Sequence, residues 1–508
     1  MNLISQNGVT SAASDTIVIV FLALMTLASI IAAVVFLCKW AEDDSGVAHK
    51  KSILTVILAV GFVLRLVFAL CVRGYREDYK TFIDMFAHLR ANGVGSYYNG
   101  DAASALYPVV YFIYLIFGGL SNVTGLSDFA LGAQFMVKLP LIIADVLAAY
   151  AVYKLAKRYF NLKVAYVLCA FVAVSPIFFV GSSIWTTPIA FTVMFACFAC
   201  YFLARRNYGA TIAFAACSMY SSKEGIYIFV AVAVFSVYHF VRAVRKIKSD
   251  KPDGKAVRTS DYNAVYAVPT AVVLSFLGAY LVGLLSAASY SINPFVYIYE
   301  YLLEPLLSWR YFTYNGLSVY SVFNRNGATP VPRFPSGVFF GIFAAIITAV
   351  VCVVYFTKRN RATMVMLAAY SAFTLQTYYP SSTTVGMQSA LLLVLAAYAL
   401  VKDKRLLSVL FVTGLAFVVN ALCVLMNAGY LNNLADYAFV SDGYTGSTLM
   451  SGGIGAVTIV CSALTVLAHL YFTVVAISVG MTGQKKPLYH ADGFKASAKE
   501  YFGRRKAN

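Results

Sequence analysis

Charge is scarce in this sequence: 21 of its 508 residues are acidic, and 12% are charged in all. Soluble domains carry about a quarter charged residues, so this chain is not one, and its mean hydropathy of +0.76 agrees. Histidine is scarce too, with five residues at no ligand spacing, and no metal set is legible. Cysteine numbers nine, mostly inside apolar runs. Cys197 and Cys200 are spaced as a CxxC but fall mid-run, which fits small buried residues better than a redox or zinc pair. Ten-residue segments of alternating polarity are missing, which excludes a membrane β-barrel. No repeat at a period of roughly 20–50 residues is visible, and no separate soluble domain interrupts the chain.

What is abundant is apolar sequence, 61% of residues. Runs of about 20 such residues, the length that crosses a bilayer as helix, predict long spans near 16–38, 52–72, 133–156, 164–184, 187–204, 226–244, 264–288, 334–356, 362–379, 384–401, 406–427 and 453–481. Two shorter stretches, 105–120 and 209–222, read as half-helices. The expectation is an all-α polytopic transmembrane bundle of about 12–14 membrane helices, some short or broken, forming one integral-membrane domain over 1–508 with a basic cytoplasmic tail at 482–508. The first run, Ile17–Cys38, is too long for a signal-peptide core and lacks a basic segment before it, so it is expected to remain as a span. Gly337 and Gly341 form a GxxxG, expected to serve helix packing.

The net charge of +18 does not read as a nucleic-acid footprint, because the Lys and Arg sit in short turns. Twenty-nine of the 39 fall in turns on one side of the predicted spans and seven on the other, with Arg65, Lys138 and Lys223 in or beside spans. The positive-inside tendency then orients the chain: the C-terminal tail faces the cytoplasm, and the segment after the second span faces out. Stretch 209–222 offers about 14 residues for a full crossing, roughly 21 Å of helix, so "SSKEG" at 221–225 is expected to break the helix below the outer surface, where broken helices line cavities.

The outer side holds the ionisable residues that can carry chemistry. Asp78 and Glu77 lie just beyond the second span in "RGYREDYK". Beside Arg73 and Arg76, Asp78 is expected to stay ionised and could act as a general base toward a hydroxyl. The competing reading is a solvated amphipathic helix with Phe82, Met85, Phe86 and Leu89 as its apolar stripe. Asp145 lies mid-span, with Lys138 two turns earlier on one face. Intramembrane charges point to function by default, although a polar contact between helices or a snorkelling lysine would place them equally well. Lys223 and Glu224 at the helix break suit a phosphate, or simply pair with each other. Arg310 and Asn315 lie in the long loop 289–333, where an arginine suits bidentate phosphate binding and the aromatics suit either a sugar or the membrane interface.

The order of short motifs resembles the multi-spanning glycosyltransferases of the GT-C superfamily, most of all the bacterial relatives of the GPI second mannosyltransferase. A span precedes the acidic loop "RGYREDYK"; "LYPVVYF" with Tyr107, "KLPLIIAD", "SPIFFVGSSIWTTP" with Trp185, "SSKEG" and "YFTYNGLSVYS" follow in the family's order over roughly 60–400. The chain departs from the pattern where "WTT" stands for "WGQ", "YPV" for "YPP", and "LQTYYPSS" for an element with His, Glu and Arg. The resemblance implies a metal-independent, inverting transfer of a hexose, mannose by default, from a polyprenyl- or dolichyl-phosphate sugar to a glycan, lipid or protein hydroxyl at the outer face. Asp78, with Glu77, is the implied catalytic pair; Lys138, Asp145, Tyr107, Trp185, Lys223, Glu224, Arg310 and Asn315 are the implied substrate or phosphate contacts. No cofactor beyond the lipid-linked donor is implied. The location implied is a bacterial plasma membrane, or the endoplasmic reticulum in a eukaryote. A lipid or sugar transporter, or an inactive relative serving in an assembly, are the alternatives that the departures leave open.

Overall fold

A computed structural model describes residues 3–40, 51–72, 74–93, 107–125, 131–250, parts of 262–277, 312–327, 335–358, 362–380, 382–427 and 452–482. The described residues are mostly helical, and the strands among them form one two-residue parallel pair, β1 (Thr313–Tyr314) with β2 (Ser382–Thr383). The helices are α1 (Leu3–Trp40), α2 (Lys51–Cys71), α3 (Arg76–Asn92), α4 (Pro108–Val123), α5 (Leu131–Tyr159), α6 (Leu162–Val174), α7 (Ile189–Ala204), α8 (Tyr208–Met219) and α9 (Lys223–Asp250). They continue as α10 (Val319–Val322), α11 (Pro335–Lys358), α12 (Ala362–Tyr378), α13 (Met387–Val401), α14 (Arg405–Asn427) and α15 (Gly452–Thr482). Five described helices are long and apolar enough to cross a membrane: α1, α2, α5, α14 and α15; six shorter apolar helices accompany them. This is an all-α polytopic membrane bundle. The tail after Thr482, the loop that holds Arg310 and most of 264–288 lie outside the described residues.

Apolar patterning decides which helices sit inside. α13 is apolar on every side and buried on every side from Met387 to Leu400, the signature of a helix with no solvent or lipid face. α5 packs against α2, α6, α7 and α13. α1 and α2 carry exposed Ile17, Phe21, Leu24, Val56, Val60 and Val63, an outward apolar face suited to lipid.

The run 164–184 is not one span. α6 stops at Val174 because Pro176 follows Ser175, and the residue before a proline is pushed out of the helical region; Ser175 is extended, with ψ 131°. A 3-10 turn, Pro176–Phe178, and a π-helical turn, Val180–Trp185, follow, both buried. The π-turn ends on Thr186 in the left-handed region, φ 75°. A side chain at Gly181 would collide with Gln388 Oε1, so glycine lets α13 press against the turn; there Gln388 Nε2 donates to Phe178 O at 2.8 Å. The second break falls at 220–222, and the helix resumes at Lys223, earlier than expected. Glu224 in the first turn of α9 complements the positive helix N-terminus.

The amphipathic segment after α2 forms α3, and its stripe is not solvated. Phe82, Met85 and Phe86 are buried, and Phe82 packs on Tyr114 of α4 with ring centroids 4.6 Å apart. At Gly341 of the GxxxG, a Cβ would meet no atom of the described residues within 4 Å. The α2–α3 joint depends on Gly74, at φ +111°, where a Cβ would fall 2.7 Å from Trp185 O. Gly74→Ala combines left-handed strain with this clash and is expected to cost about 2 kcal/mol or more; a melting temperature equal to that of the parent would show that the joint can relax.

Candidate active site

Four sequence-distant segments meet at the start of α3. Tyr75 N–H donates to Trp185 O at 2.8 Å, and the Tyr75 ring stacks on the indole with centroids 4.8 Å apart. One residue into the helix beyond Glu77, the Asp78 carboxylate accepts from the Trp185 indole Nε1–H at 2.7 Å. From the other side, Val109 N–H at the head of α4 donates to Tyr220 O at the α8–α9 break. That bond ties the Tyr107–Pro108 element to the break that carries Lys223 and Glu224. Glu224, 5% exposed, lies close enough for its charge to act on both Asp78 and Tyr107. Asp78, Glu77, Trp185, Tyr107, Lys223 and Glu224 therefore cluster at one locus, the vestibule.

Asp78 does not behave as the ordinary ionised carboxylate expected from its arginine neighbours. Its pKa is raised to about 7. Burial is the main cause; Glu224 and Glu77 push the same way, while the Trp185 bond and Lys223 pull back. Desolvation outweighs the pull of Lys223 because the carboxylate lies between the indole and the α9 break, shielded from water. The result is a carboxyl group poised near neutrality, which is where a general base works best.

Lys138 and Asp145 lie deeper and engage protein atoms. Lys138 Nζ donates to Ser183 O at 2.8 Å and to Val72 O. Asp145 pairs with Arg65 at 3.2 Å and accepts from Ser182 Oγ. Both face the π-turn from α5, as one helical face requires for residues two turns apart. Asn315 belongs to another locus. It is buried with φ 51°, trades hydrogen bonds of 2.6 Å with Asn326, and its carbonyl accepts from Asn420 at 2.8 Å. Arg310 lies outside the described residues. Reading the sequence missed Arg65, Ser182 and Tyr75 as supports of the vestibule. Arg65, a lone guanidinium within an apolar run, was the one signal available.

A family model described as dolichyl-phosphate-mannose-protein mannosyltransferase matches residues 108–257. The match supports kinship with the GT-C superfamily of membrane glycosyltransferases. The match covers under a third of the chain; it holds Lys138, Asp145, Trp185, Lys223 and Glu224, and begins after Asp78. Among solved structures, the chain is similar to the apo crystal structure of the Archaeoglobus fulgidus oligosaccharyltransferase, with 12% identity and a TM-score of 0.36 over 89% of this chain. This chain spans 59% of the length of that protein. No curated protein matches the sequence.

Proposed function

We propose that this GT-C chain transfers a hexose, with mannose as the first candidate, from a polyprenyl- or dolichyl-phosphate sugar to a hydroxyl of a glycan, lipid or protein acceptor. The observation that carries the reading is Asp78: a carboxylate near neutrality, oriented by an indole N–H, in a vestibule built by four separate segments. Asp78 takes the proton of the acceptor hydroxyl as its oxygen attacks the anomeric carbon. The bond from that carbon to the phosphate oxygen breaks on the opposite face, so the configuration inverts and the lipid phosphate leaves with the electron pair. Lys223, the first residue of α9, stabilises that phosphate in this reading, a kind of electrostatic contribution worth about 3–4 kcal/mol in well-ordered sites. Arg310 is the second cation proposed for this work. The distribution of Lys and Arg supports an extracytoplasmic vestibule and a cytoplasmic C-terminus.

The test is transfer in detergent or liposomes from a labelled polyprenyl-phosphate sugar, measured against pH. The rate is expected to rise through about pH 7 as Asp78 loses its proton. Trp185→Phe removes a hydrogen bond that favours the carboxylate and should move the midpoint up by roughly one unit, lowering the rate at neutral pH about fivefold. A flat pH profile, or an unmoved midpoint in Trp185→Phe, would take the base role from Asp78. Absence of transfer from every polyprenyl-phosphate sugar offered would overturn the reading as a whole.

A further inference from the structure

The indole that orients Asp78 sits at the last position of the π-turn, Val180–Trp185. Single π-turns are held by their surroundings and are frequent at functional sites, so what holds this one matters. Its backbone and side chains are gripped from one buried cluster. Ser182 Oγ donates to Asp145 Oδ2, and Asp145 is held in turn by Arg65 Nε at 3.2 Å. Arg65 spends its remaining donors on α2 and on the end of α6, reaching Val172 O at 2.9 Å, Gly61 O at 3.2 Å and Ala173 O. One guanidinium thus fixes the chain on the near side of the Ser175–Pro176 break and, through a carboxylate, the π-turn beyond it. Arg65, Asp145 and Ser182 are all within 2% of complete burial.

We propose that Arg65, Asp145 and Ser182 are positioning residues: they lock the π-turn in the phase that delivers the Trp185 N–H to Asp78. None of the three touches the vestibule; they act through Trp185. The proposal rests on Asp78 being the base only for its effect on rate, and the structural part stands without it. A bond spanning 107 residues between Trp185 and Asp78 has to be aligned to within a fraction of an ångström, and a turn with unsatisfied buried groups would not keep that alignment.

The test uses Trp185 as its own reporter. The chain has three tryptophans, Trp40, Trp185 and Trp309, so the full-length Trp40→Phe/Trp309→Phe protein has one indole. Its emission is titrated from pH 5 to 9; ionisation of Asp78 beside the N–H changes it, and Asp78→Asn identifies that step by abolishing it. Lys223, Glu224 and Glu77 also face Asp78 and are left intact. Ser182→Ala removes the link to the turn but keeps the Arg65–Asp145 pair whole. It is expected to raise the midpoint by roughly half a unit or more and to lower transfer at pH 7 about twofold or more. Arg65→Lys keeps the charge, loses the forked reach, and provides the same readout should Ser182→Ala fail to fold. An unchanged midpoint in the folded variant overturns the proposal. A shifted midpoint in a parent protein without transferase activity upholds it and overturns the functional reading alone.

Discussion

Asp78→Asn is expected to cut transfer by about a hundredfold to ten-thousandfold, the range that a positioned general base contributes, with no loss of fold. The amide keeps the shape of the carboxylate and can still accept from the Trp185 indole through Oδ1, so the joint between α3 and the π-turn persists. Stability follows from the raised pKa. A carboxyl whose folded pKa is about 7, against an ordinary value near 3.8, holds its proton more tightly folded than unfolded. The stability of the parent is therefore fully present below about pH 4 and declines as pH rises toward 7. Asn cannot ionise and escapes that decline. The melting temperature of Asp78→Asn should match the parent near pH 4 and equal or exceed it at pH 8. A variant that is inactive and at least as stable assigns Asp78 to chemistry, in the manner of sites that trade stability for function. Full turnover in the variant removes Asp78 from the mechanism, and a collapsed melting temperature at pH 8 makes it a structural residue.

How much of this site could be read in advance depends on where its contacts run. The acidic loop, the Tyr107–Pro108 element and the Lys223–Glu224 break were legible, because each interrupts an apolar run where a span should continue or turn. The membrane class was legible for the same reason. The neutral-range pKa of Asp78 was not, because neighbours in sequence suggested cations, whereas burial is set by Trp185 and the α9 break, far along the chain. The partner of Asp145 was hidden similarly. Helical periodicity shows Lys138 on the same face, but the counter-ion is Arg65, 80 residues away on α2. The interruption of 164–184 was legible in Pro176, yet hydropathy alone runs through it, since every residue from Pro176 to Trp185 is buried.

Arg65→Ala is expected to cause a large loss of stability. It strips Asp145 of its counter-ion in a site that excludes water, and it leaves Gly61 O, Val172 O and Ala173 O without the donors they now have. Breaking one half of a buried pair costs about 3–5 kcal/mol, because the remaining charge is stranded. Asp145→Ala should do comparable damage from the other side. Removing both charges is different: Arg65→Met combined with Asp145→Leu keeps the volume and strands nothing, and such replacements are often neutral or stabilising. The double variant should therefore melt well above either alanine variant, as read by dye-monitored unfolding in detergent. Its activity should not recover with its stability. Ser182 has lost Asp145 and keeps only the local acceptor Phe179 O, so the π-turn keeps its packing and loses its anchor to α5, and Trp185 meets Asp78 less often. A double variant that is both stable and as active as the parent would confine the pair to holding helices together. A stable but slow one shows that the charges are retained for where they put the indole.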